Sequence, residues 1–107
     1  MSFTVEKTKT TDGQQCKAGD NVSVHYTGKL TDGTVFDSSR SRGQPLQFAV
    51  GTGRVIRGWD EGIVQLRVGE TAILTCPPDY AYGDQGAGNV IPPGATLTFD
   101  VELVAIN

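Results

Sequence analysis

Apolar and polar residues alternate along most of this chain, and one short run breaks that rhythm. In Val22-Ser23-Val24-His25-Tyr26-Thr27 the period of two sets Val22, Val24 and Tyr26 on one face and Ser23, His25 and Thr27 on the other, which predicts a half-buried strand. Leu97 to Val104 alternates almost without fault and predicts another. Phe3-Thr4-Val5-Glu6 predicts an edge strand, closed by the turn signal Thr10-Thr11-Asp12-Gly13. Asp32-Gly33, set between the apolar ends of Leu30 to Phe36, predicts a hairpin. Asp37 to Gly43 is polar and turn-favouring, so a bulge or loop is expected there before Leu46, Phe48 and Val50 resume the alternation and Gly51-Thr52-Gly53 ends it. Thr71 to Cys76, bounded by Gly69 and Pro77-Pro78-Asp79, alternates poorly and reads as an interior strand covered on both faces.

The exception is Val55-Ile56-Arg57-Gly58-Trp59-Asp60-Glu61-Gly62-Ile63. Ile56, Trp59 and Ile63 stand three, four and seven apart, a helical spacing that aligns them on one face. Two turns of helix are not stable alone, so packing must hold this one. Gly58 and Gly62 give it a second stripe without side chains, where another element can approach closely. The expected fold is therefore α+β: a five- to six-stranded antiparallel sheet wrapped around one short helix. The segment from Tyr80 to Gly94, rich in Gly and Pro, is left as a long loop, and such loops are usually functional or disordered.

Composition narrows the class. The 107 residues suit one domain, 1–107, with 37% hydrophobic and 20% charged residues. A net charge of -3, with nine scattered Lys and Arg, argues against nucleic acid as a partner. No apolar run approaches the ~20 residues that span a bilayer, so no membrane partner is expected. The start of the chain has no basic region followed by an apolar core, so no secretory leader is expected and the default location is the cytosol. Cys16 and Cys76 are read as reduced thiols, and a single histidine without a C-x-x-C leaves no recognisable zinc site.

Familiar catalytic motifs fail. Gly51-Thr52-Gly53 begins a dinucleotide fingerprint whose third glycine is Ile56, and Gly53 with Gly58 has phosphate-loop spacing but Trp59 where a lysine must stand. Asp60 and Glu61 point in different directions from adjacent helical positions, and acids near a short helix simply complement its dipole. For His25 a structural or solvent-facing role outweighs a catalytic one, because no nucleophile motif accompanies it.

What remains is a dispersed aromatic and apolar set, which composition alone would assign to the core. Tyr26-Thr27-Gly28, Phe36-Asp37-Ser38-Ser39, Val55 to Gly62, Pro78-Asp79-Tyr80-Ala81-Tyr82-Gly83 and Ile91-Pro92-Pro93 together resemble the FKBP family of macrolide-binding peptidyl-prolyl cis-trans isomerases, in order and from about Val22 to the end. The resemblance implies a pocket between sheet and helix in which proline-containing peptides and proteins, or macrolides, bind with neither cofactor nor metal. It implies Trp59 as the floor and Tyr26, Phe36, Phe48, Val55, Ile56 and Phe99 as walls. The Ile56 N–H and the Tyr82 hydroxyl are the implied donors to ligand carbonyls, the Asp37 carboxylate the acceptor, and Arg42 its partner. Leu46 and Ile91 are also implied to touch the ligand, and Tyr26, Phe36, Asp37, Ile56, Trp59, Tyr82 and Phe99 to carry catalysis. Leu46 replaces a phenylalanine common in the family and should leave that wall smaller. The tip Asp84-Gln85-Gly86-Ala87-Gly88-Asn89 lacks the bulky or proline-containing residues common there and is expected to be mobile. A monomer with protein partners around the pocket rim is implied too. The rival reading is a regulatory binding module whose isomerase activity is incidental.

Overall fold

A computed structural model of the chain describes residues 2–88 and 90–107. Its six strands are β1 (Thr4–Lys9), β2 (Asn21–Leu30), β3 (Val35–Ser38), β4 (Leu46–Ala49), β5 (Thr71–Cys76) and β6 (Leu97–Ile106), all paired antiparallel. They lie in the order β1-β5-β6-β2-β3, with β4 also beside β2. One edge of β2 runs along β6 from Val22 to Leu30, and the other is shared by two short strands. β4 takes Asn21 to Val24, and β3 takes Thr27 to Lys29.

Between those short strands the chain makes one helical turn, α1 (Ser39–Arg42), where the sequence predicts a bulge or loop. Asp37 and Ser38 belong to β3, and Gly43 ends the turn at a φ of 70°, its N–H donating to the Arg40 carbonyl. That left-handed close is the usual way glycine stops a helix, and a reading by alternation does not register it. The Asp32-Gly33 reversal does form. Gly33 adopts a φ of 90°, and the Asp32 carboxylate accepts the Thr34 N–H at 2.9 Å.

The second helix, α2 (Arg57–Gly62), runs on into a 3-10 turn at Ile63–Gln65. Trp59 and Ile63 are buried as the spacing predicts, whereas Ile56 is the extended residue that precedes the helix. The stripe without side chains faces β5. A Cβ on Gly58 would stand 2.4 Å from the Cys76 Sγ, and one on Gly62 would stand 3.0 Å from a Leu74 methyl. The glycines thus let α2 sit directly on the sheet, and Gly58→Ala would force the two apart.

β5 lies between β1 and β6, but only one of its faces is sealed: Ala72, Leu74 and Cys76 are buried while Thr71, Ile73 and Thr75 are half-exposed. The weak alternation arises because Ile73 is apolar on the outer face, not because both faces are covered. The sealed face joins Val22, Val24 and Tyr26 of β2 and Leu97, Phe99, Val101 and Leu103 of β6 in one core with Trp59, Ile63 and Leu66. No helix among the described residues is long and apolar enough to cross a membrane.

The long loop has internal structure. It holds 3-10 turns at Pro78–Tyr80 and Gly83–Gln85, and Ala87 and Ile91 exchange backbone hydrogen bonds of 2.9 and 3.1 Å. A Cβ on Gly86 would meet the Ile91 carbonyl oxygen at 2.2 Å, so the crossing tolerates only glycine. Asn89, in the tip expected to be mobile, lies outside the described residues.

Candidate functional site

The helix that seals the core also leaves a cleft beside it. Trp59, held by α2 and 4% exposed, has three aromatic neighbours: Tyr26 from β2 at 4.8 Å and Phe99 from β6 at 5.3 Å, both edge to face, and Phe48 from β4, tilted at 5.7 Å. Phe36 of β3 meets Phe99 edge to face at 5.7 Å. That contact depends on Gly28, where a Cβ would stand 2.6 Å from the Phe36 ring and 3.0 Å from the Phe99 ring. The Tyr26-Thr27-Gly28 run therefore supplies a wall residue and then the gap that lets two further wall residues touch.

The resulting cleft has a volume of about 180 Å³ and is lined by Tyr26, Phe36, Asp37, Leu46, Arg54, Val55, Ile56, Trp59, Tyr82 and Phe99. Nine of the residues implied by resemblance are thus brought together, and three stand behind them. Phe48 backs the Trp59 ring, Ile91 is buried in the base of the long loop, and Arg42 reaches the cleft only through its partners. Arg54 lines the cleft, and sequence reasoning missed it, because nothing in the pattern distinguishes one exposed arginine beside a glycine turn from another.

The polar part of the wall is a network. The Tyr26 hydroxyl donates to one Asp37 oxygen at 2.6 Å, and Arg42 donates to the other at 2.6 Å and to the Tyr26 oxygen at 2.9 Å. The Ser38 N–H adds a fourth bond, to Asp37 at 2.9 Å. Burial would raise the Asp37 carboxyl, but the bonds from Tyr26 and Arg42 outweigh it and hold the group below the usual carboxylate range. Burial pushes the Tyr26 phenol up, and the bond to Asp37 pushes it further. Burial also raises Tyr82, helped by the Asp37 charge. Asp37 is therefore an anion and both tyrosines are neutral donors across the physiological range.

Other polar residues shape the site from outside. Asp60 accepts the N–H groups of Gly51 and Gly53 at 2.7 and 2.9 Å, which ties the glycine turn before Arg54 to α2. Glu61 pairs with Arg57 one turn away, and the Arg57 guanidinium lies 4.0 Å from the centre of the Tyr80 ring. These contacts account for both acids without catalysis. His25 projects from the face of β2 opposite Tyr26, and its Nδ1 lies 2.9 Å from the hydroxyl of the buried Ser39.

Donors at the cleft face no partner of their own. The Ile56 N–H, just ahead of α2, has no acceptor among the described residues, and neither does the indole N–H of Trp59. A cleft of this kind can take an apolar ring and fix the carbonyls beside it, and among the described residues its lining contains no Ser, Thr, Cys, Lys or His.

Known proteins resemble this chain in sequence and in fold. A sequence model of the family described as FKBP-type peptidyl-prolyl cis-trans isomerase matches residues 12–104. The Drosophila melanogaster protein named peptidyl-prolyl cis-trans isomerase Fkbp12 is 62% identical over 90 residues, covering 84% of this chain and 83% of that protein. FK506-binding protein 1A of Emericella nidulans is 56% identical over the full length of both. FK506-binding protein 2 of Yarrowia lipolytica is 66% identical over 94 residues, 88% of this chain, which spans 65% of that protein's length. The crystal structure of AtFKBP13 superposes with a TM-score of 0.94 at 38% identity, over 98% of this chain and 93% of that one.

Proposed function

This chain belongs to the FKBP-type peptidyl-prolyl cis-trans isomerase family, and from that premise we propose that it accelerates rotation about X-Pro bonds without covalent chemistry, in a cleft that also binds the macrolide FK506. Residues 1–107 constitute one such domain in this reading. The observation that carries it is the cleft itself, an aromatic floor with unspent donors at its edge and, among the described residues, a lining without Ser, Thr, Cys, Lys or His.

The barrier to X-Pro rotation is amide resonance, about 18–20 kcal/mol, and unaided rotation takes roughly tens to hundreds of seconds. Twisting the amide removes its C–N double-bond character and its charge separation, so the transition state is less dipolar than the planar ground state. A dry aromatic wall penalises the planar form more. Burying an amide without a compensating hydrogen bond costs about 1–3 kcal/mol, and about 1.4 kcal/mol is a factor of ten, so desolvation supplies one to two decades. Positioning supplies the rest: the proline ring sits over Trp59 between Tyr26, Phe36 and Phe99, while the Ile56 N–H and the Tyr82 hydroxyl hold carbonyls on either side of the rotating bond. Asp37, kept anionic and oriented by Arg42 and Tyr26, presents a fixed negative charge to the substrate nitrogen side.

Proline-containing peptides and proteins are the substrates. Leu46 and Tyr82, both exposed at the mouth, suit protein partners at the rim. The protein acts as a monomer in the cytosol, in keeping with two cysteines that are buried as free thiols, Cys16 with its pKa raised to about 11 by burial and the Asp20 charge, and Cys76 with its pKa raised to about 12 by burial.

Trp59→Leu tests the assignment. Losing roughly 60 Å² of apolar contact at about 25 cal/mol per Å² weakens FK506 binding by about tenfold, with a matching loss of turnover on an X-Pro peptide. A variant that stays folded by circular dichroism and keeps full FK506 affinity places the ligand elsewhere.

A further inference from the structure

Two charged residues line the cleft, and they differ in how their charge is met. Asp37 is ion-paired with Arg42, so the pair as a whole is neutral even though the carboxylate faces the cleft. Arg54 is an exposed lining residue and pairs with no carboxylate among the described residues. The neighbouring acids are engaged: both Asp60 oxygens accept backbone N–H groups from the turn that precedes Arg54, and Glu61 is held by Arg57. The same turn limits where Arg54 can go, because the Asp60 carboxylate ties Gly51 and Gly53 to α2 immediately before it. The cleft is thus an apolar surface bordered by one uncompensated positive charge.

We propose that Arg54 is a specificity-determining residue, selecting X-Pro substrates that carry an aspartate or glutamate beside the proline. This rests on the isomerase reading of the same cleft. An apolar pocket alone disfavours a charged neighbour of proline, because the carboxylate loses water on entry. A guanidinium at the margin returns part of that loss as a charge-assisted hydrogen bond, and it does so without entering the space over Trp59 that the proline ring needs. Arg54 and Ile56 are two residues apart on the short bend that leads into α2, so a peptide whose carbonyl is held by the Ile56 N–H has its flanking side chains within the sweep of the arginine.

The test compares four-residue peptides that differ only by glutamate or glutamine, placed immediately before or after the proline, with the intact protein and its Arg54→Glu variant. For an exposed pair the expected preference is about two- to fivefold in kcat/KM for glutamate over glutamine in at least one of the two positions. The preference inverts in Arg54→Glu and shrinks as salt is raised. A glutamate-to-glutamine ratio that is the same in both proteins at both positions overturns the proposal. Absence of turnover on every peptide, including those with neutral flanks, instead overturns the isomerase reading and is told apart by that pattern. Since each protein is compared with itself on two peptides, a partial loss of folding in the variant cancels from the ratio.

Discussion

Glu70 and Asp37 are both carboxylates whose oxygens are satisfied by backbone and cationic donors, yet one serves the fold and the other faces the cleft. Glu70 is 2% exposed and receives the N–H groups of Thr11 at 3.0 Å and Arg67 at 2.8 Å, with the Lys7 ammonium at 3.0 Å. Those donors come from three separate stretches, β1, the segment after it and the turn before β5, so one side chain pins them together. Asp37 is 42% exposed, and its donors Tyr26, Arg42 and Ser38 all come from the neighbourhood of β2, β3 and α1. The difference teaches what the donors around a carboxylate decide. Backbone donors from distant segments make it a fastener, whereas side-chain donors around a cavity make it an oriented charge with a face left for a ligand.

Removing Glu70 has the largest expected effect. Glu70→Ala strands two backbone N–H groups and a lysine, a loss of about 2–3 kcal/mol read from chemical denaturation, with turnover per folded molecule retained. The Thr11 bond, working against burial and helped by the bonds from Arg67 and Lys7, takes the Glu70 carboxyl from an ordinary value of 4.5 down to about 2. The folded state holds this group ionised more strongly than the unfolded chain does, so its contribution is complete above about pH 4.5 and is lost as the pH falls towards 2. The acid limb of the stability curve therefore flattens in Glu70→Ala. A variant whose acid limb matches the parent would show that other groups govern acid unfolding.

Asp37→Val sharpens the comparison from the other side. Arg42 is exposed and can turn to water, and the Tyr26 hydroxyl borders the cleft, so melting shifts little, while kcat/KM on an X-Pro peptide falls by about tenfold, the equivalent of one charge-assisted hydrogen bond. A large drop in melting temperature with unchanged turnover per folded molecule would make Asp37 a second fastener and erase the contrast.

The smallest effect is expected at His25. Asp37 is held below the usual carboxylate range while Tyr26 and Tyr82 are pushed above the ordinary phenol value, so none of the three titrates between about pH 6 and 9. The catalytic rate constant should be nearly flat over that interval, with a solvent deuterium isotope effect near unity. His25→Gln, altered on the face of β2 away from the cleft, should keep its activity in proportion to its folded fraction. A bell-shaped profile abolished by that substitution would mean that a proton moves in the slow step.

Alternation along the chain was enough to orient β2 and β6, because a period of two assigns each side chain to a face as soon as one face is buried. The spacing of Trp59 and Ile63 located the short helix, Gly58 and Gly62 marked the side on which it meets the sheet, and the motifs shared with the FKBP family marked most of the cleft. Tertiary structure decided the remainder. That β3 and β4 divide one edge of β2, that Ile56 leads into the helix instead of riding its face, that Phe48 backs Trp59 while Arg54 borders the cleft, and that Arg42 acts through Asp37 all depend on contacts between residues far apart in the chain. Local periodicity determines the direction of a side chain relative to its own element. Which side chain it meets there is set by how the elements pack against one another.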